Sequence, residues 1–298
     1  MSPFASAIGV AAKACVPEKH KKFDRPFSLS IGPQRSATSW LDRYLRSRGD
    51  ICLPRGVKEV FYFDRNFKRG FIFYKRHYKT AQNHRMIMEI STTSFDHPEA
   101  PARVFKTFGD QITLICPLRN PVDRSYSLYL HYLRYGFVKG SLQDACAQKP
   151  QILESSRYAK NLRRWLDYYP GNQIKVIFQE DLEKNQDFFL NQLCEALKIP
   201  FMPAQEALSS RYNVTTASRS VLLANFAQKI ADFLRQNRLY SVINLAKTLG
   251  IKRLIFGTEK PDISSSSMPE QDRLWLESAL SGEIGALESL LGPISQWR

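Results

Sequence analysis

Apolar and polar positions alternate through Phe27-Ser-Leu-Ser-Ile31, the period-two signature of a strand. Ile112-Thr-Leu-Ile-Cys116 is nearly all apolar, the pattern of a strand covered on both faces, and Ile174-Lys-Val-Ile-Phe178 is similar. Met86-Ile-Met-Glu89 is a fourth candidate. Between these runs the spacing changes to three and four residues, which predicts helices. Trp40, Leu41, Tyr44 and Leu45 form one stripe. Val122, Tyr126, Tyr129, Leu130 and Leu133 form a second, with Pro121 suited to the first helical position. Tyr158, Leu162, Trp165, Leu166 and Tyr169 form a third, and Phe189, Leu193, Ala196 and Leu197 a fourth. Strands alternating with helices predict crossover connections, a parallel sheet and the α/β class. An extra helical segment is expected near 205–250, a loop over 261–269, and a helix near the end with Ile284, Leu287, Leu290 and Leu291 on one face. No repeat of 20–50 residues is visible, which disfavours a solenoid. The expected organisation is a tail over 1–25 and one domain over 26–298.

Composition narrows the class. With 298 residues, 43% of them hydrophobic and 12% aromatic, the chain can bury a sizeable core, and wholesale disorder is excluded. No apolar run approaches the ~18 residues of a membrane-spanning helix. Lys and Arg number 43 against 28 Asp and Glu, a net charge of +15. That excess favours an anionic partner: nucleic acid, a phosphate-bearing cofactor, an acidic polymer or a membrane surface. The five cysteines, Cys15, Cys52, Cys116, Cys146 and Cys194, are scattered and form no CxxC pair. Neither a disulfide framework nor a zinc site is expected, and a reducing compartment is. The apolar run from Ala5 to Ala12 lacks a basic segment before it and ends at Lys13, so it reads as a tail rather than a signal peptide. The expected location is cytoplasmic.

Two segments carry candidate chemistry. The first, Ile31-Gly-Pro-Gln-Arg-Ser-Ala-Thr-Ser-Trp-Leu41, runs strand, loop, helix. Backbone amides at such a helix start, with the Ser36, Thr38 and Ser39 hydroxyls and Arg35, make a natural anion site. An ordinary strand-to-helix turn with capping residues is the plainer reading. The Gly-Lys-Ser/Thr ending of a Walker A loop is missing. In the second, Leu114-Ile-Cys-Pro-Leu-Arg-Asn-Pro-Val-Asp-Arg-Ser-Tyr-Ser-Leu128, a strand again ends in a turn and a helix. Arg119 closes the strand and Ser127 follows eight residues later. The two could grip one phosphate. Alternatively Arg119 pairs with Asp123 and Ser127 is a surface residue.

Together these segments resemble the paired signatures of sulfotransferases that use 3′-phosphoadenosine-5′-phosphosulfate (PAPS). The first resembles the family's 5′-phosphosulfate loop. The second resembles its 3′-phosphate motif, Leu-Arg-Asn-Pro-x-Asp-Arg-x-Tyr-Ser. Gly56-Val-Lys-Glu-Val-Phe-Tyr-Phe-Asp64 is similar to the segment that carries the catalytic glutamate in heparan sulfate and related carbohydrate sulfotransferases. Phe71-Ile-Phe-Tyr74 and Met88-Glu-Ile-Ser-Thr-Thr-Ser-Phe95 resemble the stretches that follow there. Arg157 to Leu166, Ile174 to Leu182 and Leu287 to Trp297 also resemble family segments. The resemblance implies a three-layer, P-loop-like nucleotide-binding sulfotransferase fold with a central parallel sheet.

It also implies roles. Glu59 is the candidate base, Arg35 the group that stabilises the leaving phosphate, and Lys58 a second cation. Arg35, Ser36, Ala37, Thr38 and Ser39 would hold the 5′ side of PAPS, with Arg119 and Ser127 on the 3′-phosphate and Tyr158 in the same pocket. Trp40 either flanks the adenine or belongs to the core. The product would be 3′-phosphoadenosine-5′-phosphate (PAP), and no metal is required. Four positions depart from the family pattern, and in three of them Arg35 replaces a lysine, Ala37 a glycine, and Ile90 the lysine of Glu-Lys-Thr-Pro. Phe61 stands where the glutamate segment carries histidine. The implied acceptor is a hydroxyl of a small molecule or glycan: a carbohydrate, a glycolipid or a polar natural product. No nucleic-acid partner is expected, and no oligomeric state is implied. Two competing readings are a non-catalytic nucleic-acid-binding protein, on the strength of the charge, and a P-loop kinase-like phosphotransferase.

Overall fold

The computed structural model describes residues 23–205 and 268–297. The tail up to residue 22, the helical segment beyond residue 205 and most of the loop over 261–269 lie outside the described residues. The chain divides into two compact units. One comprises residues 1–124, 155–210 and 280–298, and the other 125–154 and 211–279.

In chain order the described elements begin with β1 (Phe27–Ser30), α1 (Thr38–Arg48) and β2 (Ile51–Cys52). A wide helical turn (Tyr62–Asn66) and a tight one (Phe67–Arg69) lead into α2 (Gly70–Lys75). Next come β3 (Met86–Ile90), α3 (Ala100–Phe108), β4 (Ile112–Leu118) and α4 (Pro121–Arg134). Then follow α5 (Leu142–Gln148), α6 (Gln151–Glu154), α7 (Tyr158–Leu166), β5 (Ile174–Phe178), α8 (Gln179–Lys184) and α9 (Gln186–Leu197). The last two helices described are α10 (Glu270–Ala279) and α11 (Glu283–Leu291).

The first unit is built on a five-stranded sheet in the order β2-β3-β1-β4-β5, with every pairing parallel. Alternation along the strands sends side chains to two separate cores. Phe27, Leu29, Ile31, Leu114 and Cys116 join Val104, Leu162 and Trp165, so α3 and α7 cover one face. Met86, Met88, Ile90, Ile115 and Ile177 join Leu41, Tyr44, Phe189 and Leu193, so α1 and α9 cover the other. The result is three layers, with a sheet buried on both faces as parallel sheets require. The four expected strands and four expected helical stripes are all present. The pattern did not mark β2, whose two residues are too few to show a period. Phe23, the first described residue, already stacks on Phe27 with ring centroids 5.3 Å apart.

Strand order places the site. β1 lies between β3 and β4, so the chain leaves β1 toward one edge and later returns to build the other. The carboxyl ends of strands at such a reversal are where ligands bind in open α/β sheets. The loops after β1, β3 and β4 leave together there. The Ile31 amide donates to the Ile115 carbonyl at 2.8 Å, and the Ser91 amide to the Ser30 carbonyl at 2.8 Å.

Candidate functional site

The loop after β1 is shaped to face an anion. Arg35 and Ala37 both have left-handed backbone, with φ of 72° and 55°. This conformation turns main-chain amides toward one side, as in anion-binding nests. Ala37 precedes the first residue of α1 and supplies no side-chain cap, and the first turn of α1 carries no acidic residue. The positive end of the helix dipole is therefore left for an outside group. Ser36 is fully buried, and its hydroxyl has no hydrogen-bond partner. Buried hydroxyls rarely stay unpaired, so this one is suited to a ligand oxygen. The observation supports the fit of a phosphosulfate to residues 35–39. Gly32 has a separate reason. A Cβ there would lie 2.4 Å from the carbonyl oxygen of Pro117, so only glycine lets the loop pass the end of β4.

The Lys58-Glu59 pair closes over this loop. The Lys58 ammonium donates to the Thr38 hydroxyl at 3.2 Å and to the Ser39 hydroxyl at 3.3 Å. The same ammonium lies 3.5 Å from Glu59 Oε1. The other carboxylate oxygen, Oε2, accepts from the Thr92 hydroxyl at 2.7 Å and the Thr92 amide at 3.3 Å. A base candidate is thus fixed by residues from β3's loop while a cation joins it to the start of α1. Glu59 and Lys58 are both half-buried, close enough to solvent for an acceptor to reach.

Beneath them lies a second carboxylate. Glu89 on β3 is fully buried. Its Oε1 accepts from the Val60 amide at 3.0 Å, and its Oε2 from the Tyr74 hydroxyl at 2.5 Å and the Tyr78 hydroxyl at 3.2 Å. Burial pushes the Glu89 carboxyl up to about 7, and the negative charge of Glu59 adds to the shift, against the lowering effect of the hydrogen bonds. Burial likewise pushes Tyr74 and Tyr78 well above the usual phenol value, so both remain donors.

The second motif begins at the end of β4. The Tyr158 hydroxyl donates to the Arg119 carbonyl at 2.8 Å, and the Asn120 amide donates to Glu180 Oε1 at 2.7 Å. Both contacts fix the backbone that carries Arg119, itself half-buried. Tyr158 is buried to 1% exposure, and burial raises its hydroxyl far above the usual value. Arg124, also fully buried, donates to the Ser156 hydroxyl at 2.5 Å and to the Gln34 carbonyl at 3.4 Å. It therefore ties the loop after β1 to the segment just before α7. Ser127 sits in the second turn of α4, within the stretch that belongs to the second unit.

The sulfotransferase domain family matches residues 27–236, well over half of the chain. The chain belongs to the sulfotransferase domain family. It is 28% identical over 225 residues to the bifunctional heparan sulfate N-deacetylase/N-sulfotransferase of Drosophila melanogaster, covering 62% of this chain and 21% of that protein. It is 32% identical over 118 residues to the membrane-associated sulfotransferase kil1 of Dictyostelium discoideum, covering 39% of this chain and 25% of that protein. The chain thus spans about a fifth to a quarter of the length of these curated relatives. A sulfotransferase structure from Alicyclobacillus acidocaldarius shares the fold, with a TM-score of 0.64 at 20% identity over 93% of this chain and 100% of that one. The three-layer sulfotransferase fold expected from the motifs is the one observed.

Within this sulfotransferase fold, Lys58, Glu59, Thr38 and Ser39 come together, and Tyr158 meets the backbone of Arg119. Trp40 is half-buried on the second core, stacked on Tyr44 at 5.7 Å and edge-on to Phe189 at 5.9 Å. The sequence assigned no individual role to Thr92 or Arg124, and it offered Glu89 as the end of a candidate strand, as part of a likeness and as a base to be sought only if Glu59 failed. The signal for Glu89 was its charge in an otherwise apolar strand. Arg124 stood inside the 3′-phosphate motif and Thr92 inside the Met88–Phe95 stretch, but neither motif named their partners, which are distant in the chain.

Proposed function

We propose that this chain is a PAPS-dependent sulfotransferase acting on a hydroxyl of a carbohydrate, glycolipid or polar natural product. The observation that carries the reading is the position of Lys58, which bonds the first turn of α1 while pairing with Glu59. One cation then serves both the donor loop and the candidate base.

The reaction forms a bond between the acceptor oxygen and the donor's sulfur and breaks the bond from sulfur to the 5′-phosphate oxygen. Glu59 takes the proton from the acceptor hydroxyl as its oxygen attacks. Arg35 and Lys58 face the negative charge that builds on the departing phosphate, whose oxygen receives the electron pair of the broken bond. Arginine suits that task because it stays charged. Ser36, the loop amides and the α1 dipole hold the 5′ side. Arg119 holds the 3′-phosphate. Most of the rate enhancement comes from positioning and electrostatics, as in phosphoryl transfer.

A second reading, transfer to an amine, is favoured by the N-sulfotransferase activity in the names of relatives. The same base and cations serve it, since an ammonium must lose a proton before it attacks. Incubation with sulfur-labelled PAPS and parallel panels of hydroxyl and amine acceptors tests both. Label transferred to hydroxyls supports the first reading, label on amines the second, and label on neither removes the assignment.

A further inference from the structure

Residues 65–85 contain seven Lys and Arg and no Asp or Glu. The stretch from 65 to 79 is two-sided. Phe67, Phe71, Phe73, Tyr74 and Tyr78 turn inward against the first core. Arg65, Lys68, Arg69, Lys75, Arg76 and Lys79 turn outward and are exposed. One apolar residue stands out among them: Ile72 on α2, 70% exposed, the most exposed large hydrophobic side chain of the described residues. Arg55 adds to this side, with its amide on the His77 carbonyl at 2.9 Å and its own side chain exposed.

The segment is held from behind. Glu89 anchors Tyr74 and Tyr78, Arg103 donates to the carbonyls of Phe63 and Asp64 at 2.8 and 3.1 Å, and the Thr93 hydroxyl donates to Asp64 at 2.6 Å. The carboxylate of Asp64 is 4% exposed, so it pairs with Arg65 without presenting negative charge outward. Of the exposed acids nearby, Asp24 accepts from Thr80 beyond the end of the stretch and Glu99 is paired with Arg103 behind it.

We propose that this face docks the chain onto an anionic lipid bilayer. Clusters of four to eight Lys or Arg on an amphipathic segment bind anionic headgroups. The exposed isoleucine selects among polyanions. A sulfated polysaccharide or a nucleic-acid backbone would leave Ile72 in water. Single-stranded bases need open aromatic faces, and the aromatic rings here are engaged. Phe71, Tyr74 and Tyr78 pack on one another and on Phe23, while Phe73 lies under the Arg69 guanidinium at 3.9 Å. A bilayer accepts both features at once: the cations meet headgroup phosphates and carboxylates, and Ile72 enters the apolar boundary just below them. This docking does not depend on the proposed reaction.

The test is sedimentation of the full chain with vesicles of phosphatidylcholine alone and of phosphatidylcholine mixed with phosphatidylserine. Binding is expected only to the mixed vesicles, and added salt should release it. Each single charge removal among Lys68, Arg69, Lys75 and Arg76 should weaken binding about fivefold. Ile72→Ser should weaken binding to vesicles while leaving retention on a heparin column and on a single-stranded oligonucleotide unchanged. In the wild-type chain, hydrogen exchange should slow over 65–79 when mixed vesicles are present, a readout that needs no variant. Equal sedimentation with both vesicle types would overturn the proposal. So would an Ile72→Ser chain that binds mixed vesicles as well as wild type, or a polyanion that binds this face more tightly than the vesicles do.

Discussion

The amide of Val60 donates to the buried carboxylate of Glu89, and Val60 is the residue next to Glu59. An interior strand of the sheet, β3, thereby sets the backbone of the segment that carries the candidate base. β3 acts twice, since Thr92 just beyond it holds the Glu59 carboxylate itself. Position and chemistry are supplied by two acids with different surroundings: Glu89 is sealed among tyrosines, whereas Glu59 stays within reach of solvent.

The sealed acid makes stability depend on pH. Its folded-state value near 7 lies above the ordinary 4.5. The folded chain therefore holds this proton more tightly than the unfolded chain does. The contribution is fully present below about 4.5 and is lost as pH rises through about 7. At ~1.4 kcal/mol per unit the change is on the order of 3 kcal/mol. Glu89→Gln should flatten this slope while wild type keeps it. Urea unfolding of both proteins at several pH values between those limits is the measurement. Parallel slopes would show that Glu89 does not titrate there.

Ala37→Gly should stabilise the fold. A non-glycine residue at φ 55° costs roughly 1–2 kcal/mol, and glycine loses ~0.5–1 kcal/mol through its freer unfolded chain. The expected net gain is about 0.5–1 kcal/mol, read as a higher denaturation midpoint at unchanged slope.

Gly32→Ala should do the opposite. The added methyl would meet both the ring and the carbonyl of Pro117 at 2.4 Å. The strand end cannot yield without disturbing β4, so a loss of about 1–3 kcal/mol or more is expected. A variant with wild-type stability would mean that the loop moves aside freely.

Nucleotide affinity should depend on both phosphates. PAP is expected to bind far more tightly than AMP, and calorimetry can compare them. Arg119→Ala should weaken PAP binding about ten- to a hundredfold, since a charge-assisted bond is worth roughly 1.5–3 kcal/mol. AMP affinity should barely change. An unfolded variant, or equal losses for PAP and AMP, would assign Arg119 to structure instead.

Glu59→Gln should lower kcat by roughly 10²- to 10⁴-fold while the PAP dissociation constant stays nearly constant. Lys58→Ala should lower kcat less, and it should also weaken PAP binding because its ammonium touches Thr38 and Ser39. Single-turnover transfer from saturating PAPS separates the two. A Glu59→Gln chain within about threefold of wild type would remove this base from the mechanism.

What the sequence determined by itself was everything written in contiguous residues. Periods of two and of three to four survive in any context, so Phe27–Ile31, Ile112–Cys116 and the stripes at Trp40, Val122, Tyr158 and Phe189 could be read directly. The two candidate phosphate motifs were legible for the same reason, because each is a single strand-loop-helix run. Tertiary structure decided the contacts between runs. β2 exists only because Ile51 and Cys52 pair with β3. The left-handed backbone at Arg35 and Ala37 belongs to the folded loop, and neither residue type announces it. Lys58 and Glu59 look like any solvated pair until Thr38, Ser39 and Thr92 arrive from segments 19 to 33 residues away. Glu89 is isolated by packing from both sides of the chain, and that burial, rather than its neighbours in sequence, makes it a proton-binding group near neutrality.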